Sequence, residues 1–343
     1  MTAPIEEILD GPEPASQDLE ELRRAPGAAA PAAGQAGPVV EGALFLVVLL
    51  WASTFIVSKA IFAEMSALPY IAIRFGLMCL LAVGVMLLRR KGADRWIRRE
   101  DLPLTIAVAL AGYTFYQLFF VLGLERTSPF SSSLLVAMVP LFSVVMTSLM
   151  GEKHPRQAWI GLGVAVLGAA IFLWEKRGTT ANGSLTGDLL SLGAAVAFAA
   201  YGVLARPLVK KYPADTFSAW TIAFGSIPLF LVAIPSSMRE DWGGISGAAW
   251  IAVGYMAIFP VYIAYQVWNW AISRRGLAAA TSFGLLVPIV SGILSALIFG
   301  ERFGPAKLAG AALVLAGLVI VRIPAGTFGR GNQGLSPGQE TSI

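Results

Sequence analysis

The sequence predicts an all-α membrane protein in which ten transmembrane helices form two inverted five-helix repeats. The chain contains ten long apolar segments, and motifs of its first half recur in the second half, as when Gly151-Glu152 reappears as Gly300-Glu301. Each half contains five segments, and an odd number of crossings places the second half in the membrane in the opposite orientation. Inverted repeats of this kind are typical of secondary transporters.

The composition indicates a membrane environment. Of the 343 residues, 56% are hydrophobic and only 13% are charged, whereas globular domains carry about 25% charged residues. The mean hydropathy is +0.71. The net charge of +4 arises from basic residues in short loops between apolar segments, which is typical of membrane topology rather than of a nucleic-acid surface. We therefore expect a lipid bilayer as partner and no nucleic acid.

The two ends of the chain have a different composition. Residues 1–41 are acidic and then rich in Ala, Pro and Gly, and residues 324–343 are Gly-rich and polar. Such segments bury too little apolar surface to offset their ordering entropy, so both are predicted to be disordered cytoplasmic tails. The first lacks the basic start of a signal peptide.

Each apolar segment approaches the roughly 20 residues that a helix needs to cross the bilayer, where every backbone polar group must be paired internally. The segments lie at about 42–62, 69–88, 102–123, 129–150, 156–174, 187–205, 214–234, 248–271, 277–299 and 306–323. The first five define a repeat over 42–177, and the last five define a second repeat over 186–323.

The loops set the predicted orientation. If the N-terminus is inside, the inner loops hold more than twice as many basic residues as the outer loops, with the 89–101 loop the richest. The positive-inside rule then predicts a multi-pass protein of the inner membrane with both termini cytoplasmic.

Five further motif pairs support the duplication. They are Phe75-Gly76 with Phe224-Gly225, Gly161 with Gly310, Gly168 with Gly317, Val139-Pro140 with Val287-Pro288, and Tyr113-x-x-Tyr116-Gln117 with Tyr262-x-x-Tyr265-Gln266. All occur in chain order, and only the Val-Pro pair slips by one position. Chance does not account for so regular a series.

The chain resembles the drug/metabolite transporter superfamily, in particular its EamA-type members, with each half similar to one EamA repeat. The resemblance rests on the run from Trp51 to Lys59, on Arg74-Phe75-Gly76, on the stretch from Thr127 to Pro140 and on the two Gly-Glu turns, and it covers about 42–323. It implies a transporter of amino acids or other metabolites, working without a cofactor.

Helical spacing places aromatic and amide side chains in two stripes on the third and eighth helices. The stripes consist of Tyr113, Tyr116, Gln117 and Phe120, and of Tyr255, Phe259, Tyr262, Gln266 and Asn269, with Tyr265 in the second motif copy. Buried phenols and amides need partners, so we predict that both stripes wall a central substrate cavity. Interhelical hydrogen bonds and interfacial aromatic belts are the alternative.

Further candidate substrate-binding residues lie on other helices. They are Trp51, Thr54 and Ser58 in the first helix, Arg74 in the second and Tyr201 in the sixth. An intramembrane charge is costly and is functional by default. Arg74 is therefore predicted to attract a substrate carboxylate, with an outward-reaching position as the equal alternative. For Lys59, an outward-reaching or structural role is favoured.

Pro140 and Pro288 lie about three turns into the fourth and ninth helices. A proline inside a helix removes one ladder hydrogen bond and bends the helix. Both are predicted to be hinges, which is compatible with a simple packing kink or an exposed polar ligand site.

What the sequence lacks narrows the function. Cys79 is the only cysteine and His154 the only histidine, so neither a disulfide framework nor a multi-histidine or cysteine metal site is expected. The carboxylates lie at helix ends or in loops, which disfavours a cation-driven drug pump. The predicted solute is a neutral, zwitterionic or anionic metabolite, best an amino acid, with export favoured over import.

Other functions stay open at this point. A vitamin or sugar importer of the same superfamily is one alternative, and a non-transporting membrane scaffold is another. An enzyme is disfavoured because no catalytic constellation is seen, and a channel because no charged ring or filter loop is seen. The small-residue faces at Gly161, Ala165 and Ala169 and at Ala312 and Ala316 are predicted to pack internally, with a homodimer contact as alternative.

Overall fold

The structure, a computed structural model, describes residues 37–174, 184–275 and 282–322, without the side chains of Ala93, Tyr262, Tyr265, Gln266, Asn269, Ile272, Ser273 and Arg275. Most of the two predicted tails and the predicted start of the ninth helix, 277–281, therefore lie outside the described residues. Within the described ranges the chain forms helices and connections, and no strand.

The helices follow the predicted apolar segments closely. Numbered in chain order, they are α1 (Pro38–Ile61), α2 (Ala67–Arg89), α3 (Arg99–Arg126), α4 (Pro129–Leu149), α5 (Arg156–Trp174), α6 (Leu185–Lys211), α7 (Ala214–Ser237), α8 (Gly247–Ile258, Phe259–Ile263 and Ala264–Arg275), α9 (Leu286–Phe299) and α10 (Pro305–Arg322). The first helix begins four residues earlier than predicted, with Pro38 in its first turn, where a proline costs no hydrogen bond.

Eight helices among the described residues are long and apolar enough to cross a membrane, and two shorter apolar stretches, Gly247–Val261 and Leu286–Phe299, accompany them. Lipid tails cannot pair with an exposed backbone, so length and apolarity together make spanning helices. The protein is therefore an all-α, multi-pass membrane protein.

The two Gly-Glu motifs form equivalent turns. Gly151 follows α4 with a φ of 92°, and Gly300 ends α9 with a φ of 64°. Only glycine adopts this left-handed conformation without steric cost, which explains why glycine occupies both positions.

Both helices that carry the predicted hinges have their proline just after an interruption. In α4 the chain turns at Ala137 and Met138, and Pro140 lies in the first turn of the following segment, Val139–Leu149. Pro288 likewise lies in the first turn of α9, Leu286–Phe299. The prolines thus start helical segments rather than bending continuous ones, because the first turn needs no N–H donor at that place.

Much of the packing between the two halves is symmetric. Three contacts recur when each helix is replaced by its counterpart five places along the chain: α3 packs on α6 as α8 packs on α1, α3 packs on α7 as α8 packs on α2, and α4 packs on α6 as α9 packs on α1. The pairs α2–α7, α4–α9 and α5–α10 each join a helix to its own counterpart. The two halves therefore intercalate.

The α5–α10 seam gives the relative direction of the halves. A Cβ atom built on Gly161 would lie 2.6 Å from the carbonyl oxygen of Gly317, and one built on Gly168 would lie 2.7 Å from that of Gly310. The early glycine of one helix meets the late glycine of the other, so the two helices run antiparallel. Only glycine permits such close backbone approach.

Internal packing of the predicted small-residue face is confirmed for α5, but the prediction is wrong for Ala312 and Ala316 of α10. Ala165 and Ala169 are buried in the seam. On α10, however, Gly310, Val314 and Gly317 face α5, whereas Ala312 and Ala316 are exposed. The glycines decide the contact face because they allow the closest approach.

Candidate functional site

An aromatic cluster lies where α1, α2, α3 and α6 meet. Its members are Phe55, Phe75, Tyr113, Tyr116, Phe120, Phe198 and Tyr201. Ring centroids of Tyr113 and Tyr201 are 5.7 Å apart, and those of Tyr116 and Phe198 are 4.8 Å apart. Phe198 and Tyr201 belong to the second half of the chain, so both halves build this cluster.

The tyrosines of α3 lie at a local change of helix geometry. Residues Leu110–Phe115 form a π-helical turn around Tyr113, and the equivalent segment of α8, Phe259–Ile263, is also π-helical. Such turns are rare and occur frequently at functional sites. Sequence periodicity could not reveal them, because a π turn adds one residue without changing the residue types.

Neighbouring contacts hold this turn against the second half. The Thr114 hydroxyl donates to the Gly225 carbonyl oxygen over 2.7 Å, and a Cβ on Gly112 would lie 2.2 Å from the Tyr201 ring. Gly112 thus leaves the space that the Tyr201 ring occupies. The Tyr113 side chain also interacts with those of Tyr201 and Thr221.

Arg74 is the charged residue at this cluster. It is only 4% exposed, and within the described part of the chain its Nε and Nη1 atoms have no hydrogen-bond partner. The guanidinium group interacts electrostatically with Tyr116. The predicted alternative of an outward-reaching Arg74 does not fit this burial, because the side chain stays inside the helix bundle.

Gln117 follows Tyr116 on the same helix. Its side chain is 8% exposed, and its Oε1 atom is buried without a partner among the described residues. An unpaired buried acceptor costs about 1–3 kcal/mol. Arg74 and Gln117 thus bring an unpartnered donor group and an unpartnered acceptor to adjoining helices.

The candidates of α1 have varied surroundings. The Trp51 ring lies 5.0 Å from that of Trp268, and Thr54 donates to the Leu50 carbonyl oxygen. Ser58 is fully buried and hydrogen-bonds to the Tyr70 hydroxyl over 3.0 Å. The structure therefore places Ser58 at the contact between α1 and α2.

The α8 stripe is described in part. The side chains of Tyr262, Tyr265, Gln266 and Asn269 lie outside the described residues, so their predicted role stays a prediction. The Tyr255 hydroxyl forms a 2.8 Å hydrogen bond with Ser53 of α1, and its ring stacks on Phe259 at 5.2 Å.

Lys59 binds backbone carbonyl groups at the end of α3 and so has a structural role. Its Nζ atom donates to the carbonyl oxygens of Leu124, Glu125 and Thr127 at 2.8–2.9 Å. These carbonyls lie at the end of α3, where helices leave acceptors unpaired and favour a cation. Glu64, in the connection between α1 and α2, accepts from the backbone N–H of Ser246, and hydrogen bonds from Ser246 lower the pKa of Glu64.

Sequence reasoning missed one buried ion pair. The Lys307 ammonium lies 2.6 Å from the Glu301 carboxylate, and their side chains are 3% and 4% exposed. Ser128 and Ser295 donate to the two carboxylate oxygens. Glu301 lies in the turn after α9, as the sequence predicts, but tertiary packing buries its side chain.

The site is suited to bind an anion, because the positive charge of Arg74 is already buried there. A carboxylate would supply the missing acceptor for Arg74, and the surrounding rings would contact apolar parts of a solute. The described residues hold no group of three or more His, Cys, Asp or Glu side chains that could bind a metal ion.

A helical multi-pass protein with two repeated halves and a polar site between helices is the architecture of a solute transporter. Both halves, residues 40–174 and 185–323, match the model of the EamA-like transporter family. The chain belongs to this family, and the resemblance to the drug/metabolite transporter superfamily is confirmed.

Known relatives agree with this assignment. A probable terminal-alkyne amino-acid exporter of Streptantibioticus cattleyicolor is 26% identical, with 87% of this chain and 97% of the relative covered. The uncharacterized transporter YyaM of Bacillus subtilis is 26% identical over 79% of this chain and 91% of its own. These relatives are transporters rather than enzymes, and this chain is accordingly a membrane transporter of a small molecule.

One solved crystal structure shares the fold. It is 19% identical, covers 82% of this chain and 96% of its own, and superposes with a TM-score of 0.55. At this identity the likeness concerns the architecture alone.

Proposed function

We propose that the protein transports a small amino-acid-like metabolite, zwitterionic or anionic, by alternating access between its two halves, with export favoured over import. The observation that carries this proposal is the buried Arg74, whose Nε and Nη1 atoms have no partner among the described residues. A desolvated, unpaired guanidinium costs several kcal/mol. Binding of a solute carboxylate removes that cost.

The surroundings of Arg74 support a solute with apolar surface. Phe75 packs against Tyr113 at 6.2 Å between ring centroids, and Tyr116 packs against Phe120 at 6.0 Å. These rings bury apolar area, and a tyrosine ring adds a hydroxyl that can form a hydrogen bond. The relative named as a probable amino-acid exporter points to the same substrate class.

The full topology belongs to the same proposal. In it, α8 and α9 also cross the bilayer, which gives ten crossings in two inverted repeats over 42–177 and 186–323. Tyr262, Tyr265, Gln266 and Asn269 would line the cavity from α8, while Trp51, Thr54, Ser58 and Tyr201 complete its walls. Pro140 and Pro288 would act as hinges, because each follows a break or turn at the start of a helical segment.

The orientation can be measured separately from transport. We propose an inner-membrane protein with both termini cytoplasmic, because the 89–101 loop concentrates basic residues. Fusions to alkaline phosphatase and to a fluorescent protein at the C-terminus report the side directly. Phosphatase activity without fluorescence would contradict this orientation.

The substrate class is tested with purified protein in proteoliposomes. A counterflow screen over amino acids, riboflavin and sugars, with and without a pH gradient, should show saturable exchange of amino acids. Saturable exchange of sugars or riboflavin alone would overturn the proposed substrate. An absence of exchange for every solute would favour a scaffold.

Replacing Arg74 by methionine should reduce amino-acid counterflow by about tenfold to a hundredfold, because a charge-assisted hydrogen bond contributes about 1.5–3 kcal/mol. Thermal unfolding in detergent should not shift downward, because the variant removes a buried unpaired charge. Arg89→Met is the matched control, since Arg89 is exposed at the end of the same helix. Equal counterflow in the two variants would contradict a substrate role for Arg74.

A further inference from the structure

We infer that Gln117 binds the ammonium group of the solute whose carboxylate is bound by Arg74, so that this site selects zwitterionic amino acids over simple carboxylates. The inference rests on the proposed function and deepens it, because it assigns the residue that distinguishes two classes of anion-bearing solute.

The first step is the complementarity of the two unpartnered groups. Arg74 offers N–H donors at Nε and Nη1, and Gln117 offers a bare carbonyl oxygen at Oε1. Arginine has no acceptor, and the amide oxygen of glutamine has no hydrogen to give. A single solute therefore satisfies both groups only when it carries an acceptor, such as a carboxylate, and a donor, such as an ammonium group.

The second step concerns position. Arg74 interacts electrostatically with Tyr116, the residue that precedes Gln117. One residue further along α2, the Phe75 ring contacts that of Tyr113, one helical turn before Gln117. These two interactions place the part of α2 around Arg74 beside the part of α3 that carries Gln117.

The third step is the selection that these charges impose. A dicarboxylate would place its second anion near the partial negative charge of Oε1, which disfavours it. A polyamine would meet the Arg74 charge without an anion to offset it. A monocarboxylate would leave Oε1 unpaired, and a site built to hydrogen-bond a group rejects an analogue that lacks it.

The fourth step separates this role from a structural one. Within the described residues, Oε1 makes no hydrogen bond, so it contributes no hydrogen bond that holds the fold together. Replacing it with a group of similar shape should not lower stability, because a lone buried acceptor is itself unfavourable.

The test compares leucine with 4-methylpentanoate, which is the same molecule without its amino group. Both are used as competitors of labelled leucine counterflow, because competition avoids the passive leak of a weak acid. In the unaltered protein leucine should compete better by about tenfold or more. In Gln117→Met the two competitors should become nearly equal, mainly through weaker competition by leucine.

Gln157→Met is the matched control. Gln157 also has a buried Oε1 atom without a partner within the described ranges, but it lies in the first turn of α5, outside the aromatic cluster. This variant should keep the full preference for leucine. Thermal unfolding in detergent without solute should be unchanged or slightly raised in Gln117→Met.

The outcomes separate the two proposals. An unchanged preference for leucine in Gln117→Met, with counterflow intact, would overturn the role of Gln117 and leave the proposed function standing. Loss of preference in Gln157→Met as well would also overturn it, because the effect would not belong to this site. An absence of saturable counterflow for every amino acid tested in the unaltered protein would instead overturn the proposed function.

Discussion

The Lys307→Met variant is expected to lose about 3–5 kcal/mol of unfolding free energy, because it leaves the buried Glu301 carboxylate without its cation. The ammonium group lies 2.6 Å from Glu301 and 5.5–5.7 Å from the ring centroids of Phe130, Phe172 and Phe303. Methionine keeps the apolar stem against these rings and removes only the charge. Denaturant unfolding in mixed micelles measures the difference.

The repeated turn of the first half provides the control. There Glu152 pairs with Arg206, and these side chains are 48% and 50% exposed. An exposed pair contributes about 0–1 kcal/mol, so Arg206→Met should change stability little. The double variant Glu301→Gln/Lys307→Met should be less destabilised than Lys307→Met alone, because no uncompensated charge remains. If Lys307→Met were as stable as the unaltered protein, Lys307 would not be the group that compensates the buried Glu301 carboxylate.

The second large effect is expected at the α5–α10 seam. In Gly168→Ala the new Cβ atom would lie 2.6 Å from the Val314 nitrogen and 2.7 Å from the Gly310 carbonyl oxygen. Both are backbone atoms, so the two helices must separate. Overpacking typically costs about 1–3 kcal/mol, and two close contacts with backbone atoms, which cannot move aside, place this variant at the upper end or beyond.

Gly163→Ala is the matched control for this substitution. Gly163 lies on the same helix, and a Cβ atom there would meet nothing within 4 Å. Alanine is favoured over glycine in a helix by about 0.8–1.0 kcal/mol, so this variant should be neutral or more stable. Gly310→Ala should behave like Gly168→Ala, because its Cβ would lie 2.6 Å from the Phe172 nitrogen and 2.7 Å from the Gly168 carbonyl oxygen, both backbone atoms of α5. Equal melting temperatures for Gly163→Ala and Gly168→Ala would contradict the close backbone contact between α5 and α10.

Much of the fold could be read from local sequence. The apolar segments predicted the helices within a few residues, because the bilayer leaves helices as the way to pair every backbone group of such a segment. The recurring glycines were equally informative. Gly151 and Gly300 mark left-handed turns, and Gly168 and Gly317 mark close helix approach, two situations in which a side chain is excluded.

The sequence predicted which residues form the candidate site, but not whether they are buried or how the backbone is shaped around them. Spacing along α3 indicated that Tyr113, Tyr116 and Gln117 share a face, and the cost of an intramembrane charge singled out Arg74. Whether Arg74 reaches outward or stays buried depends on neighbours from α3, which no local pattern specifies. The π turns around Tyr113 and over Phe259–Ile263 likewise depend on packing with other helices.

The sequence by itself determined a repeated, helical membrane protein, because apolarity, segment length and glycine placement act locally along the chain. Only the tertiary structure decided which polar groups are satisfied. It buries Glu301 against Lys307 and binds Lys59 to the end of α3. Among the described residues it leaves Nε and Nη1 of Arg74 and Oε1 of Gln117 without hydrogen-bond partners. Pairing of charges in a low-dielectric interior depends on distances between residues far apart in sequence, and those distances exist only once the helices have packed.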